Sequence, residues 1–337
     1  MREVYGSVDA LLAAMADGGR AGRSPFEKNA DSLSGSSFER VLIDGVPYVL
    51  KHLARDDDWV MRATGDGLDG PARVVTMWRD GLLDALPDVI DHAVVGAAHD
   101  EATGRNAILM RDVGATLVPT GTSRIALAAH RRFLAHMARL HVAFWDLPHG
   151  YGLATPADVY AAFSPAMAAR EAAAGYDDAV PTLVPGGWAA LRDADPAAHE
   201  VALALATDPE PLARAMAETP ATLIHRDWKY GNLGSHPDGR TVLLDWAFPG
   251  RGVPCADLGW YLAVNCDRLP EDKGDAIAAY RLALEDAGVR TAPWWGRQLE
   301  LALVGAFVQL GWSKTGDPAE LAWWTSRIVP VGRDLLR

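Results

Sequence analysis

The chain has 337 residues, 49% of them hydrophobic and 23% charged, with 32 lysines and arginines against 44 aspartates and glutamates. That size and balance fit an ordinary globular protein of two domains, or one large domain carrying insertions. The formal net charge of −12 repels nucleic acid and anionic lipid and attracts cationic ligands, so neither a nucleic-acid partner nor a membrane is expected.

The N-terminal stretch MREVYGSVDALLAAMADGG places a short apolar run between acidic residues. The run is too short for the core of a secretion signal and predicts a short amphipathic helix. LSGSSFE, Leu33 to Glu39, is a serine-rich turn with one glycine, preceded by Ser32. FERVLIDGVPYVLKHL then predicts a hairpin, with arms over Phe38 to Ile43 and Tyr48 to Leu53 and Asp44-Gly45 as the turn. Its second arm delivers Lys51, a residue seldom half-buried in a strand unless its ammonium has an anion to meet. The alternative is an edge-strand lysine facing water. PARVVTMWRDGLLDAL predicts a helix, and HAVVGAAHD and NAILMRDVG predict two more strands.

Beyond VGATLVPTGT the pattern turns helical. SRIALAAHRRFLAHMARLHVAFWD carries apolar residues at helical spacing, with Ser123 as its expected N-cap. VYAAFSPAMAAREAAA, HEVALALAT, PLARAMAE, DKGDAIAAYRLALEDAG and GRQLELALVGAFVQLGW follow as helices. A boundary near Asp112 to Gly114 divides a sheet-rich part, residues 1–112, from a helical part, residues 113–337. The apolar run Leu301 to Val308 falls well short of a membrane span. Cys255 and Cys266 have neither metal-site spacing nor a disulfide framework, which suits a reducing cytoplasm.

Two apolar strands interrupt the helical part, and between them lies LIHRDWKYGNLG, Leu223 to Gly234. Asp227 and Asn232 are five positions apart, and Asp245 closes the following run TVLLD. A loop ending in asparagine and a strand ending in aspartate can offer two hard oxygen ligands to Mg²⁺, with the phosphates of a nucleotide completing the shell. Asp227 is then available to accept a hydroxyl proton, and Lys229 to reach a transferring phosphoryl group. The alternative is that these residues only cap turns and end a strand. His141 and His225 are expected to be structural, His225 bracing the loop from behind. The tryptophans of PWWGRQ and the pair Trp323-Trp324 could stack on sugars, but the core use is favoured.

In spelling and spacing, His225, Arg226, Asp227, Lys229, Asn232 and Asp245 resemble the catalytic loop and metal-binding aspartate of the protein-kinase-like superfamily. The short interval from Asp245 to CADLGWYL leaves no room for a peptide-binding activation segment. Together with the helical insertion from about Gly150 to Glu218, it resembles the aminoglycoside phosphotransferase family, which includes choline, homoserine and sugar kinases. The resemblance runs from about Leu33 to Leu262 and is specific from His225 to Asp257. It implies an α+β bilobal fold: a five-stranded antiparallel N-terminal sheet with a helix, a larger helical C-terminal lobe, and ATP in the cleft. It further implies Asp227 and Lys229 as catalytic residues and Asn232 and Asp245 as Mg²⁺ ligands. Lys51 would sit on the α- and β-phosphates, Ser34 and Ser36 in the phosphate-covering loop, and Met110, Arg111 and Val113 at the adenine connector. Asp257 would anchor the catalytic loop and cap its own helix.

Two departures stand out. No glutamate occurs between Glu39 and Glu101 to hold Lys51, so Asp57, Asp58 or Asp66 would have to substitute; and Arg226 replaces the family's glycine. The implied reaction moves the ATP γ-phosphoryl group to a hydroxyl of a small molecule. An aminoglycoside-like or other hydroxylated antibiotic is the first choice, and a sugar, amino alcohol or amino acid the alternative. A nucleotide-binding pseudokinase-like module is the reading from another class. A monomer or homodimer is expected.

Overall fold

The structure, a computed structural model, describes residues 1–26 and 33–337, so Ser32 lies outside the described residues. The chain forms two compact units, one from Met1–Gly121, Gly150–Leu153 and Tyr230–Ala247, the other from Thr122–His149, Ala154–Lys229 and Phe248–Arg337.

The first unit opens with α1 (Val8–Met15), capped by Ser7, whose hydroxyl accepts from the Ala10 N–H. There follow β1 (Ala21–Pro25), β2 (Ser37–Ile43), β3 (Val46–Leu53), α2 (Trp59–Thr64), α3 (Arg73–Arg79), β4 (Ile90–Asp91), β5 (Val94–Asp100) and β6 (Arg105–Arg111). Five strands make one antiparallel sheet in the order β1-β2-β3-β6-β5, as the resemblance implies. The β2–β3 turn has Asp44 and Gly45 at φ +49° and +83°, both in the left-handed region that a tight two-residue hairpin requires. Leu11 and Leu12 of α1 pack on Val41, Leu50 and Leu109 of the sheet. Gly96, at an irregularity in β5, permits this approach, because a Cβ there would come 2.6 Å from Leu11 Cδ1. The helix predicted over PARVVTMWRDGLLDAL is cut short at Arg79, two residues before Gly81 at φ +77°.

The second unit begins with α4 (Leu127–Ala143), α5 (Pro156–Ala161), α6 (Pro165–Ala173), α7 (Ala179–Ala194), α8 (Pro196–Thr207), α9 (Glu210–Ala217) and β7 (Thr222–Ile224). Ser123 is not the N-cap of α4: that position is Ala126, and the Ser123 carbonyl instead accepts from Arg268 Nε at 3.0 Å. α5 and α6, read from sequence as one helix, are separated at Ser164-Pro165. There the serine caps the new helix by accepting from the Met167 N–H, and the proline, with no N–H to lose, starts it.

The chain re-enters the first unit for β8 (Leu233–Ser235) and β9 (Thr241–Leu243), which with β4 form a three-stranded sheet ordered β4-β9-β8. The second unit resumes with β10 (Gly250–Gly252), antiparallel to β7, then α10 (Pro254–Val264), α11 (Lys273–Asp286), α12 (Trp295–Leu310) and α13 (Pro318–Leu335). α10 lies so close on α12 that a Cβ on Gly259 would meet the Ala302 carbonyl at 2.8 Å. Of the tryptophans favoured from sequence for the core, Trp295 and Trp324 are buried in it, whereas Trp294 and Trp323 are only half-buried. Among the described residues no helix is long and apolar enough to cross a membrane.

Candidate active site

In the second unit the motif begins where β7, wholly buried, runs out at His225. Arg226 then takes φ +64°, a conformation that costs an L-residue roughly 1–2 kcal/mol and that glycine adopts freely. The family's glycine therefore corresponds to a real backbone demand, met here by an arginine whose Nη1 donates to the Thr155 carbonyl at 3.1 Å.

The turn is held from α10. Asp257, fully buried, accepts from the His225 N–H at 2.9 Å, the Arg226 N–H at 2.6 Å, Trp228 Nε1 at 3.0 Å and His141 Nε2 at 3.1 Å. Burial alone would raise this carboxyl, but its hydrogen bond to His141, the His141 and His225 charges and the His225 N–H prevail and hold it below the usual carboxylate range. Anchoring of the loop by Asp257 is as expected. Capping of its own helix is not: the N-cap is Val253, Pro254 starts the helix, and Asp257 lies inside the first turn. His141 is structural, buried between Asp257 and the Tyr280 hydroxyl at 2.6 Å. His225 Nδ1 accepts from the Asp227 N–H at 3.1 Å and so braces the loop.

The Asp227 carboxylate is almost enclosed. Its Oδ1 accepts from Trp260 Nε1 at 3.2 Å, and its Oδ2 lies 3.4 Å from Lys229 Nζ. Asp227 and Lys229 are thus brought together as a carboxylate–ammonium pair. Trp260 was not singled out from the sequence, although its place three residues after Asp257 on one helix was a usable signal.

In the first unit, Asn232 and Asp245 flank the β8–β9 hairpin. The Asn232 carbonyl accepts from the Leu244 N–H at 2.9 Å, one residue before Asp245. Asp245 is the second non-glycine residue of the motif in the left-handed region, at φ +64°. Its Oδ1 meets Lys51 Nζ at 2.6 Å. Lys51 is no edge-strand lysine: β3 is the central strand of the five, and the side chain is 5% exposed. Its carboxylate partner is Asp245, and none of the three suggested substitutes. Asp57 pairs with Arg105, Asp58 accepts from Ser36 Oγ and the Val60 N–H, and Asp66 accepts from the Arg73 N–H.

Ser36 is buried, its proton committed to Asp58 at 2.6 Å, while Ser34 is half-buried. Met110 is buried within β6, pairing with Val49 and Val94. Arg111 forms an ion pair with Asp91, which also takes His236 Nε2 at 2.7 Å, and Val113 is buried just past the strand. One amide and one carboxylate on a single hairpin are hard oxygen donors of the number Mg²⁺ takes from protein when phosphates supply the rest. Asn232 and Asp245 fit such an ion.

Comparison with known proteins bears on the family and the fold. A model of the phosphotransferase enzyme family matches residues 85–294. The chain belongs to that family. Its members include the aminoglycoside phosphotransferases and related small-molecule kinases, and the chain is accordingly a phosphotransferase with an alcohol group as acceptor. Among solved structures, choline kinase LicA from Streptococcus pneumoniae is similar with a TM-score of 0.51 at 11% identity, covering 93% of each chain. Aminoglycoside phosphotransferase APH(3'')-Id from Streptomyces rimosus is similar with a TM-score of 0.50 at 19% identity, covering 90% of this chain and 95% of that one. At such identities the likeness establishes the α+β kinase-like fold. No curated protein sequence matches the chain.

Proposed function

We propose that this phosphotransferase moves the γ-phosphoryl group of ATP to a hydroxyl of a small molecule in a Mg²⁺-dependent reaction. The bond between the γ-phosphorus and its bridging oxygen breaks, the acceptor oxygen bonds to phosphorus, its proton passes to Asp227, and ADP leaves. Bound at Asn232 and Asp245, Mg²⁺ would neutralise charge on the phosphate oxygens. Lys51 supplies a buried cation for the α- and β-phosphates, and Lys229 one for the group in transfer. The Ser34 hydroxyl and the main chain of Ser36, Met110, Arg111 and Val113 complete the proposed nucleotide contacts, the Ser36 hydroxyl being committed to Asp58.

The observation that carries this reading is the Asp227 carboxylate, held between Trp260 and Lys229 on a loop whose backbone is fixed by Asp257. A solvated turn aspartate would need no such enclosure. For the acceptor we propose an aminoglycoside-like or other hydroxylated antibiotic, since the net charge of −12 favours cationic ligands. The choline kinase that shares the fold keeps amino alcohols and other metabolites as the second reading. The test is ADP release from ATP, with and without Mg²⁺, across a panel of aminoglycosides, other hydroxylated antibiotics, sugars and amino alcohols. Stimulation by at least one class, only with Mg²⁺, is expected. A folded protein that releases no ADP with any of them would contradict the proposal.

A further inference from the structure

Helix α10 turns two polar side chains toward the loop from His225 to Lys229. Asp257 and Trp260 are three residues apart and so share a face. Asp257 takes main-chain N–H groups and the Trp228 indole, which fixes the loop through its backbone. Trp260 does the complementary thing: its indole N–H reaches Asp227 Oδ1 at 3.2 Å. The indole is 6% exposed and packs beside Phe163 with ring centroids 5.8 Å apart, and Phe163 lies 6.5 Å from Phe248. An indole has one donor and no acceptor, and this one spends it on the carboxylate.

We propose that Trp260 is a positioning residue for phosphoryl transfer: its indole N–H clamps Oδ1 of Asp227, so that Oδ2 is the oxygen that takes the acceptor's proton. This rests on the reading of Asp227 as the base. The physical need is specific. The terminal torsion of an aspartate is broad and roughly two-fold, so fixing the backbone of the loop does not by itself fix the carboxylate, and the Trp260 donor constrains it directly. Lys229 is a looser constraint on that torsion, because its ammonium rides on a flexible four-carbon stem and its side chain is 24% exposed. An indole wedged among aromatic rings on a helix is a rigid donor. Removing it leaves the loop, its anchor and the nucleotide contacts in place but lets the reacting oxygen drift, which lowers turnover rather than affinity.

The test compares Trp260→Phe and Trp260→Tyr, which keep an aromatic ring without the indole N–H, with the unaltered chain. The assay is ADP release from Mg·ATP with water as the acceptor, water supplying the proton and taking the phosphoryl group. A fall in kcat of about 10-fold or more is expected, with KM for ATP within about twofold. A filler of the core would affect folding and leave kcat alone. Independently, ¹⁵N-tryptophan labelling reads the Trp260 indole proton, whose resonance should move when Asp227→Asn removes the charged acceptor. This decides the matter if the Trp260 variants do not fold. A folded variant with unchanged kcat, a loss confined to KM, or an indole resonance indifferent to Asp227→Asn each overturns the proposal. If Asp227→Asn turns over normally, the base assignment fails and takes the proposal with it. If Asp227→Asn is inactive while Trp260→Phe is fully active, the positioning role alone fails.

Discussion

Replacing Asp257 with alanine should unfold the catalytic loop from its support. The carboxylate is fully buried and receives two backbone N–H groups, the Trp228 indole and His141. Each buried donor left without an acceptor costs about 1–3 kcal/mol. Water entering the vacated space would satisfy some of them, so the four do not add. The closest general case is removal of one partner of a buried ion pair, at about 3–5 kcal/mol, and we expect a loss in that range. The effect has a pH signature. The folded-state pKa of Asp257 is depressed, so its contribution is fully present above the unfolded value of about 3.9 and disappears as pH falls through the lower folded value. Urea unfolding followed by tryptophan fluorescence at neutral pH should show the full deficit, and the gap between wild type and variant should narrow below about pH 4. A deficit under about 1 kcal/mol at neutral pH, or one that widens in acid, would refute the assignment of Asp257 as the anchor.

Lys51→Met should lower kcat/KM for ATP roughly 10- to 100-fold, the equivalent of one charge-assisted contact, because it strips both the phosphates and Asp245 of a buried ammonium; unchanged nucleotide kinetics would contradict the role. Burial pushes the Cys255 thiol far up and raises the Cys266 thiol as well, but Cys266 is only partly buried, so a thiol reagent should modify Cys266 first and reach Cys255 only on unfolding. Equal rates for both in the native protein would show that the core around α10 opens readily.

The β2–β3 hairpin was legible because Asp44-Gly45 suits a turn that needs two left-handed residues, and apolar, β-branched arms lie on either side of it. The catalytic loop was legible because its chemistry-bearing residues are close in sequence. Lys51 had to find its carboxylate almost two hundred positions away, at Asp245, and no local pattern encodes that contact. Local rules also failed for α7. Pro181, Pro185, Gly186 and Gly187 argue against a helix, with an interior proline costing about 3 kcal/mol. Yet Val180, Val184, Trp188 and Leu191 form a buried stripe along it, and burying side chains of that size outweighs the penalty. The clamp on Asp227 stayed hidden because an isolated tryptophan in an apolar helix looks like core until its N–H is seen to have a direction.

Phosphoryl transfer by Asp227→Asn beside wild type, with Mg·ATP and whichever acceptor the panel yields, tests the account most directly. Loss of a general base predicts a well-folded protein whose turnover is down about 10²- to 10⁴-fold. Turnover near that of wild type would mean that the residue at the centre of the loop is not the base, and the chemistry assigned to this site would have to be given up.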